Sequence, residues 1–184
     1  GVYNGVGQSP SAACSLSETY PRDGMGCANN SVGPDAGTYP TTPNVTGTGA
    51  ANYSVTSVNG SFTITPKALT ATAGSGSAMY NNQDQGPSAG CSLSETYPRD
   101  AMACANDKAV YGRNVGSYTT MPNVTGTGAA NYSVTSVNGK FDITPKTVTA
   151  TAGSGSATYT GLAQSPSACS LPGTYQGDGM ACAN

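Results

Sequence analysis

The sequence repeats itself, and this repeat limits the possible folds more than any other feature. The string PNVTGTGAANYSVTSVNG occurs unchanged at Pro43–Gly60 and at Pro122–Gly139. The strings CSLSETYPRD and TATAGSGSA also occur twice each, at a similar spacing. The unit is about 79 residues long, which is too long for a leucine-rich or ankyrin repeat of roughly 20–35 residues. A unit of this length suits a small β-sandwich domain.

The repeat places two junctions in the chain. ITPK occurs at Ile64–Lys67 and again at Ile143–Lys146, where the proline ends a strand and stiffens a short linker. We therefore predict repeat unit 1 at residues 1–65, lacking its first strand, a complete unit 2 at 66–144, and unit 3 at 145–184 with the first strands only. We expect either that this sequence is a section of a longer array of repeats, or that incomplete units complement each other between subunits.

The middle repeat alternates apolar and polar residues in the manner of short β-strands. Leu69, Ala71 and Ala73 alternate with threonines, so these three side chains are predicted to face inward. Asn138-Gly139 lies between alternating apolar residues and predicts a hairpin, whose turn needs two positive φ angles. We predict an all-β fold of tandem immunoglobulin-like β-sandwich domains, head to tail, with about seven short strands each.

Two tyrosines match the tyrosine corner of immunoglobulin-like domains. Asp35-Ala36-Gly37-Thr38-Tyr39 follows the D-x-G-x-Y pattern, in which the tyrosine hydroxyl bonds back to the backbone. Tyr118 takes the same place in the second copy, two residues after a glycine. The cysteine that follows this tyrosine in antibody domains is absent, which excludes a disulfide of the antibody type.

Each repeat carries one pair of cysteines at constant spacing. The pairs are Cys14 and Cys27, Cys91 and Cys104, and Cys169 and Cys182. Equal spacing favours three local disulfides, each of which stabilises by roughly 3 kcal/mol in the chain-entropy model. Zinc would need four ligands, whereas each repeat offers two cysteines and the chain has no histidine. Persistent disulfides indicate an extracellular or cell-surface location in an oxidising compartment.

Groups that perform catalysis are scarce. Histidine, the commonest general base, is absent, and the only glutamates are Glu18 and Glu95 at equivalent positions of different repeats. No phosphate-binding loop, dinucleotide fingerprint or nucleophile elbow occurs in a strand–turn–helix context. We predict that the chain is not an enzyme and that it binds no cofactor and no metal.

Charge is sparse and excludes further classes of partner. Charged residues make up 9% of the chain and the net charge is −2, which leaves no basic face for nucleic acid and no polybasic patch for a membrane. No apolar run is long enough for membrane insertion. The groups Glu18-Arg22-Asp23 and Glu95-Arg99-Asp100 each include an arginine that would oppose calcium, so we expect surface ion pairs at both places.

Tyrosines recur in the loops between the paired cysteines. They are Tyr20, Tyr97 and Tyr175. Tyrosine suits interfaces and half-buried corners alike, so two interpretations stay open: a surface for self-association or sugar stacking, or anchors of the loop. The partners we expect are neighbouring repeats or chains, joined into a fibre, or a glycan or host surface.

Several blocks resemble MBG domains, the mostly-β, glycine-rich repeats of large bacterial surface proteins. They are ITPKALTATAGSGSAMYNN, NYSVTSVNGSFTITP and Tyr3-Asn4-Gly5 near the start. The resemblance covers essentially the whole chain and implies an immunoglobulin-like fold, an adhesin or stalk role and no catalytic residue. Three hypotheses follow: a disulfide-stapled structural spacer of a bacterial fibre, filament or adhesin stalk; a glycan- or protein-binding adhesin module; or a subunit that polymerises by β-strand complementation.

Overall fold

The computed structural model describes residues 1–184 and shows an all-β protein. Its strands are β1 (Gly26–Asn29), β2 (Gly37–Thr41), β3 (Pro43–Thr46), β4 (Gly60–Ile64), β5 (Lys67–Thr72), β6 (Gly76–Met79), β7 (Ser92–Leu93), β8 (Ala103–Asn106), β9 (Gly116–Thr120), β10 (Pro122–Thr125), β11 (Tyr132–Val137) and β12 (Gly139–Thr144). Four single turns of 3-10 helix span Pro21–Asp23, Ala50–Asn52, Pro98–Asp100 and Ala129–Asn131. None of these helices is long or apolar enough to cross a membrane.

The chain divides into two compact units. The first contains Gly1–Ala73, Cys91–Asn106 and Met121–Asn138, and the second contains Gly74–Gly90, Asp107–Thr120 and Gly139–Asn184. Each unit therefore takes segments from successive sequence repeats. The middle repeat contributes eight strands, β5–β12, which are shared between the two units. The boundaries near residues 65 and 144 stay a prediction about the organisation of the sequence.

The first unit is organised around β5. This strand is parallel to β11 on one edge and antiparallel to β7 on the other. Leu69 and Ala71 are 1% and 0% exposed, so the inward face that the alternation predicts is confirmed. Three antiparallel pairs, β1–β3, β2–β4 and β8–β10, complete the unit.

The core of the first unit is small and rich in tyrosine. Tyr3, Ile64, Leu69 and Tyr132 form its buried cluster. Five half-buried side chains pack against this cluster: Tyr39, Phe62, Leu93, Tyr97 and Met102. Each large apolar side chain that is fully buried contributes about 1.5–3 kcal/mol, so a core of this size leaves a substantial share of the stability to hydrogen bonds and disulfides.

The second unit is organised around β12. This strand is parallel to β6 and antiparallel to β9. Phe141 and Ile143, two residues apart on the strand, are 1% and 2% exposed. Thr120 is also fully buried, and its hydroxyl donates to the carbonyl oxygen of Gly74 at 2.6 Å. The buried hydroxyl therefore has the partner that burial of a polar group requires.

The hairpin predicted at Asn138-Gly139 is wrong. The strand β11 pairs with β5, whereas β12 pairs with β6 and β9. Neither Asn138 nor Gly139 has a positive φ. Gly139 is required for a different reason, because a Cβ atom there would collide with the carbonyl oxygen of Gly74. Glycine serves tight turns and close backbone approaches alike, so the dipeptide alone does not distinguish them.

Candidate site of contact between repeats

The three predicted disulfides are present. They join Cys14 to Cys27, Cys91 to Cys104 and Cys169 to Cys182, with Cα–Cα distances of 5.5, 5.4 and 5.7 Å. These distances lie in the usual range for a disulfide, and no cysteine is free. Three disulfides indicate an oxidising, extracellular environment.

The two predicted tyrosine corners make the expected type of hydrogen bond. The hydroxyl of Tyr39 donates to the carbonyl oxygen of Asp35, and that of Tyr118 donates to the carbonyl oxygen of Asn114, both at 2.8 Å. In each case the acceptor lies four residues upstream, so the side chain closes the turn that leads into β2 or β9.

A buried carboxylate lies within the disulfide loop of the second repeat. Asp100 is 1% exposed. The hydroxyl of Tyr3 donates to Oδ1 and Oδ2 of Asp100 at 2.7 and 2.8 Å, and the hydroxyl of Tyr132 donates to Oδ2 at 2.6 Å. Nδ2 of Asn131 lies 3.5 Å from Oδ1. Donors therefore surround a charge that would be unfavourable to bury alone.

The local sequence presents Asp100 by folding a short helical turn. Pro98 opens the turn with a preset φ, and Ala101 ends it in the left-handed region at φ 47°. The carbonyl oxygen of Asp100 accepts hydrogen bonds from the backbone N–H of Gly128 at 3.0 Å and from the hydroxyl of Thr127 at 3.2 Å. A Cβ atom at position 128 would collide with the Asp100 side chain, so glycine is required for this approach.

The environment shifts the pKa of each partner so that Asp100 is charged and the tyrosines are protonated. Burial alone would raise the pKa of Asp100, but hydrogen bonds from Tyr132, Tyr3 and Asn131, with the nearby positive charge of Arg99, hold it below its ordinary value. Burial and the bond to Asp100 raise the pKa of Tyr3 to about 12. The same two causes raise the pKa of Tyr132.

The surface ion pairs expected around Asp23 and Asp100 are wrong for both aspartates. Asp100 is fully buried and Asp23 is 9% exposed. Arg99 comes only within 4.0 Å of Asp100 and instead bonds to Asp35 at 2.9 Å. Tyrosine hydroxyls supply the donors that a counter-ion would otherwise supply, which allows the carboxylate of Asp100 to enter the core.

The same contact recurs in the second unit. Tyr80 donates its hydroxyl to Oδ1 of Asp178, and these residues hold the sequence positions of Tyr3 and Asp100. Tyr80 also packs edge-to-face on Tyr175, with ring centroids 5.7 Å apart. In the first unit the corresponding rings, Tyr3 and Tyr97, are 5.5 Å apart. A tyrosine at the start of one repeat thus binds the disulfide loop of the next.

The first repeat contains only part of this site. The hydroxyl of Tyr53 donates to Oδ2 of Asp23 at 2.6 Å, and that of Thr48 donates to the Asp23 carbonyl oxygen at 3.1 Å. These bonds match those of Tyr132 and Thr127 to Asp100. No side chain takes the place that Tyr3 occupies at Asp100, and Tyr20 of the same loop is 69% exposed.

The three loop tyrosines have different surroundings. Tyr97 and Tyr175 pack against Tyr3 and Tyr80, whereas Tyr20 is exposed. Sequence reasoning missed the tyrosine–aspartate contact. A signal for it was present in the sequence, because tyrosine and aspartate recur at nearly the same spacing. Tyr3 and Asp100 are 97 residues apart, and Tyr80 and Asp178 are 98 residues apart.

The chain matches no protein-family model, no curated protein and no solved structure. No group of three or more cysteine, aspartate or glutamate side chains is arranged to hold a metal ion.

Proposed function

We propose that the chain is a structural repeat segment of an extracellular bacterial fibre, filament or adhesin stalk, in which disulfide-stapled, immunoglobulin-like repeats act as spacers. One observation carries the proposal. The tyrosine of one repeat binds the aspartate of the next in both compact units, at Tyr3–Asp100 and at Tyr80–Asp178. A contact that recurs with the repeat joins successive repeats, which is what a load-bearing array needs and what a single ligand site does not.

Four further features support this role. Disulfides fit a protein that works outside the cell, and the resemblance to MBG domains favours a bacterial surface protein. The tyrosine corners at Tyr39 and Tyr118 favour the immunoglobulin-like assignment. The chain also lacks histidine, which agrees with a role that involves no acid–base chemistry.

A glycan- or protein-binding adhesin module is the second candidate. The exposure of Tyr20 favours it, because an exposed tyrosine in a loop offers a ring for stacking. The corresponding rings of Tyr97 and Tyr175 already pack against tyrosines of the preceding repeat. The loop position therefore favours contacts between repeats over a repeated ligand site.

Single-molecule pulling tests the structural role. The chain is stretched from its two ends, and we expect a resolved unfolding peak for the first unit that the Asp100→Ala variant loses. The length gained on unfolding should be reduced by the residues held inside the three disulfide loops, and a reductant should restore it. Unfolding of the native chain with no resolved force peak would count against a load-bearing role.

A glycan array tests the second candidate on the same material. We expect no glycan to be bound by the native chain. Binding that disappears in Tyr20→Ala and persists in Tyr159→Ala, another exposed tyrosine, would instead establish an adhesin module.

A further inference from the structure

The two contacts between repeats carry different charges beside the same kind of tyrosine–aspartate bond. In the first unit, Nη2 of Arg99 lies 2.9 Å from Oδ1 of Asp35. Arg99 belongs to the disulfide loop of the second repeat, whereas Asp35 belongs to the first repeat. Nη1 of the same arginine donates to the carbonyl oxygen of Gly5 at 3.2 Å. This arginine therefore joins two segments of the preceding repeat to the loop that presents Asp100.

An amide side chain of the second repeat reinforces the same contact. Nδ2 of Asn131 donates to Oδ1 of Asp35 at 3.1 Å, and Oδ1 of Asn131 accepts the backbone N–H of Ala36 at 2.8 Å. Asn131 is 5% exposed, so water has little access to these hydrogen bonds. Asp35 thus accepts from two side chains of the following repeat, and the amide of Ala36 reports whether the contact is closed.

Both members of the ion pair are replaced at the second contact. The segment that contains Asp35 has Asn114 at the corresponding position, and the loop that contains Arg99 has Gly177. Neither replacement carries a charge, so the pair is lost as a whole. Gly177 has a φ of 101°, which favours glycine, but a Cβ atom there would meet no atom within 4 Å. Lack of space therefore does not explain the loss of the arginine.

The second contact has an arginine on its opposite side. Arg113 precedes Asn114 in the second repeat, which is the upstream partner here, and its Nε lies 3.6 Å from Oδ1 of Asp84. The hydrogen bond to Asp178 raises the pKa of Tyr80, and the charge of Arg113 acts in the opposite direction, so this charge reaches the contact. The first contact therefore takes its arginine from the following repeat, and the second takes it from the preceding repeat.

Wrong combinations of these surfaces would be electrostatically unfavourable. The upstream side of the first contact, combined with the third-repeat loop, would bring Asp35 and Asp178 together without an arginine. The upstream side of the second contact, combined with the second-repeat loop, would bring Arg113 and Arg99 together. Repeats of nearly identical sequence risk packing on the wrong neighbour, and juxtaposed like charges suppress wrong partners.

We propose that Asp35 and Arg99 form a recognition pair that selects the second repeat as the neighbour of the first, and that Arg113 and Gly177 exclude this pairing at the next contact. The tyrosine–aspartate bond is common to both contacts and provides the attachment, whereas the arginine decides which loop is accepted. The Asp35 side accepts a disulfide loop with a cationic side chain directly before its aspartate. This selection rests on the proposed structural function, to which it adds the order of the repeats.

Hydrogen exchange at the Ala36 amide in the full chain tests the recognition pair. Arg99→Gln removes the charge but keeps a long polar side chain, and it should speed exchange by about threefold, because the ion pair is partly exposed to water. In an Asp35→Arg chain the same substitution should slow exchange by about twofold, because it relieves the repulsion of two like charges. Arg22→Gln, at the corresponding position of the first repeat, is the matched control and should leave the rate within about 1.5-fold.

The opposite direction of the two effects distinguishes recognition from a local role of Arg99. A side chain that only stabilises the turn Pro98–Asp100 would speed exchange by the same factor in both chains, and that result would overturn the proposal. Loss of the bond from Asn131 to the side chain of residue 35 is common to both Asp35→Arg chains, so it cancels in the comparison.

Salt distinguishes an effect of charge from an effect of packing. In about 1 M salt, charges that are exposed to solvent interact only over roughly 3 Å. The effect of Arg99→Gln on Ala36 exchange in the native chain should therefore fall below about 1.5-fold. An effect that salt leaves unchanged would show that the contact depends on the shape of the arginine, which overturns recognition by charge.

A loop exchange in the full chain tests the choice of neighbour. Pro98→Gln with Arg99→Gly gives the second-repeat loop the residues of the third repeat at these two positions. With Asp35 present, the altered loop should speed Ala36 exchange at least about threefold more than it does in an Asp35→Arg chain. The Gly128 amide, whose hydrogen bond lies within the second repeat, corrects for damage to the loop itself.

Equal effects of the loop exchange in both chains would overturn the selection of neighbours. The structural function would not fall with it, because the tyrosine–aspartate bond needs no arginine. The pulling experiment on the native chain tests that function separately, so failure of the selection and failure of the load-bearing role are distinguishable.

Discussion

Asp100 and Asp23 end identical CSLSETYPRD segments and yet have different surroundings. Asp100 receives hydrogen bonds from two tyrosines and is 1% exposed, whereas Asp23 receives one tyrosine hydroxyl and is 9% exposed. The difference is Tyr3, which comes from the preceding repeat. Local sequence therefore builds half of the site, and the other half depends on a residue 97 positions away.

The strands next to these sites differ in the same way. Tyr132–Val137 is a strand because β5 lies beside it, whereas the identical residues 53–58 pair with no strand and form none. Val137 is 44% exposed and Val58 is 84% exposed. Pairing with another segment, and not the intrinsic preference of these residues, decides the conformation.

Removal of the aspartate carboxylate should give the largest difference in stability between the Asp100 and Asp23 sites. Asp100→Ala leaves the buried hydroxyls of Tyr3 and Tyr132 without an acceptor, and we expect the free energy of unfolding to fall by about 3–5 kcal/mol. Asp23→Ala affects one hydroxyl in a more open place and should cost less than half as much. Urea unfolding at neutral pH with intact disulfides measures both, and equal losses would contradict the comparison.

Removal of a disulfide should affect the two sites more equally. The pairs Cys14–Cys27 and Cys91–Cys104 have the same sequence separation of 13. Replacing either pair with alanines should cost about 3 kcal/mol if the entropy of the unfolded chain dominates. Urea unfolding of the two double variants sharpens the comparison, because any excess loss at Cys91–Cys104 would report the packing of β5 against β7 next to Cys91.

Loss of one hydroxyl should have a smaller effect. Tyr3→Phe keeps the ring against Tyr97 and Tyr132 and removes the bond to Asp100, so we expect a loss of about 2 kcal/mol. Tyr20→Phe is the matched control, because this exposed side chain should change stability by less than about 0.5 kcal/mol. Equal losses of stability for the two variants in thermal unfolding would contradict a stabilising role of the Tyr3 hydroxyl.

The pH dependence of stability should reflect the contact between Tyr3 and Asp100. The folded pKa of Asp100 is depressed, so its contribution is present above the unfolded value near 3.9 and is lost as the pH falls through the folded pKa. The pKa of Tyr3 is raised to about 12, so its contribution is present below about pH 10 and is lost between pH 10 and 12. Unfolding curves across both ranges should show a shallower alkaline loss in Tyr3→Phe, and an unchanged slope would contradict the assignment.

Sequence reasoning succeeds where the information is local. The alternation around Leu69 gives the inward face of β5, and the equal spacing of cysteines gives the three disulfides, because both depend on near neighbours. It fails at Asn138-Gly139 and at Asp100. Pairing partners of β11 and β12, and the arrival of Tyr3 at Asp100, are set by distant segments that no local pattern encodes.

The disulfide loops and the tyrosine contacts also differ in the order in which they become available during synthesis. Cys91 and Cys104 are only 13 positions apart, so their thiols can meet as soon as this short segment has been made. Tyr3 must wait until Asp100 and Tyr132 have emerged, and contacts of such long range form slowly. We expect each disulfide loop to be available for closure before the tyrosine contact with the next repeat can form, so that each newly made repeat completes the packing of the one before it.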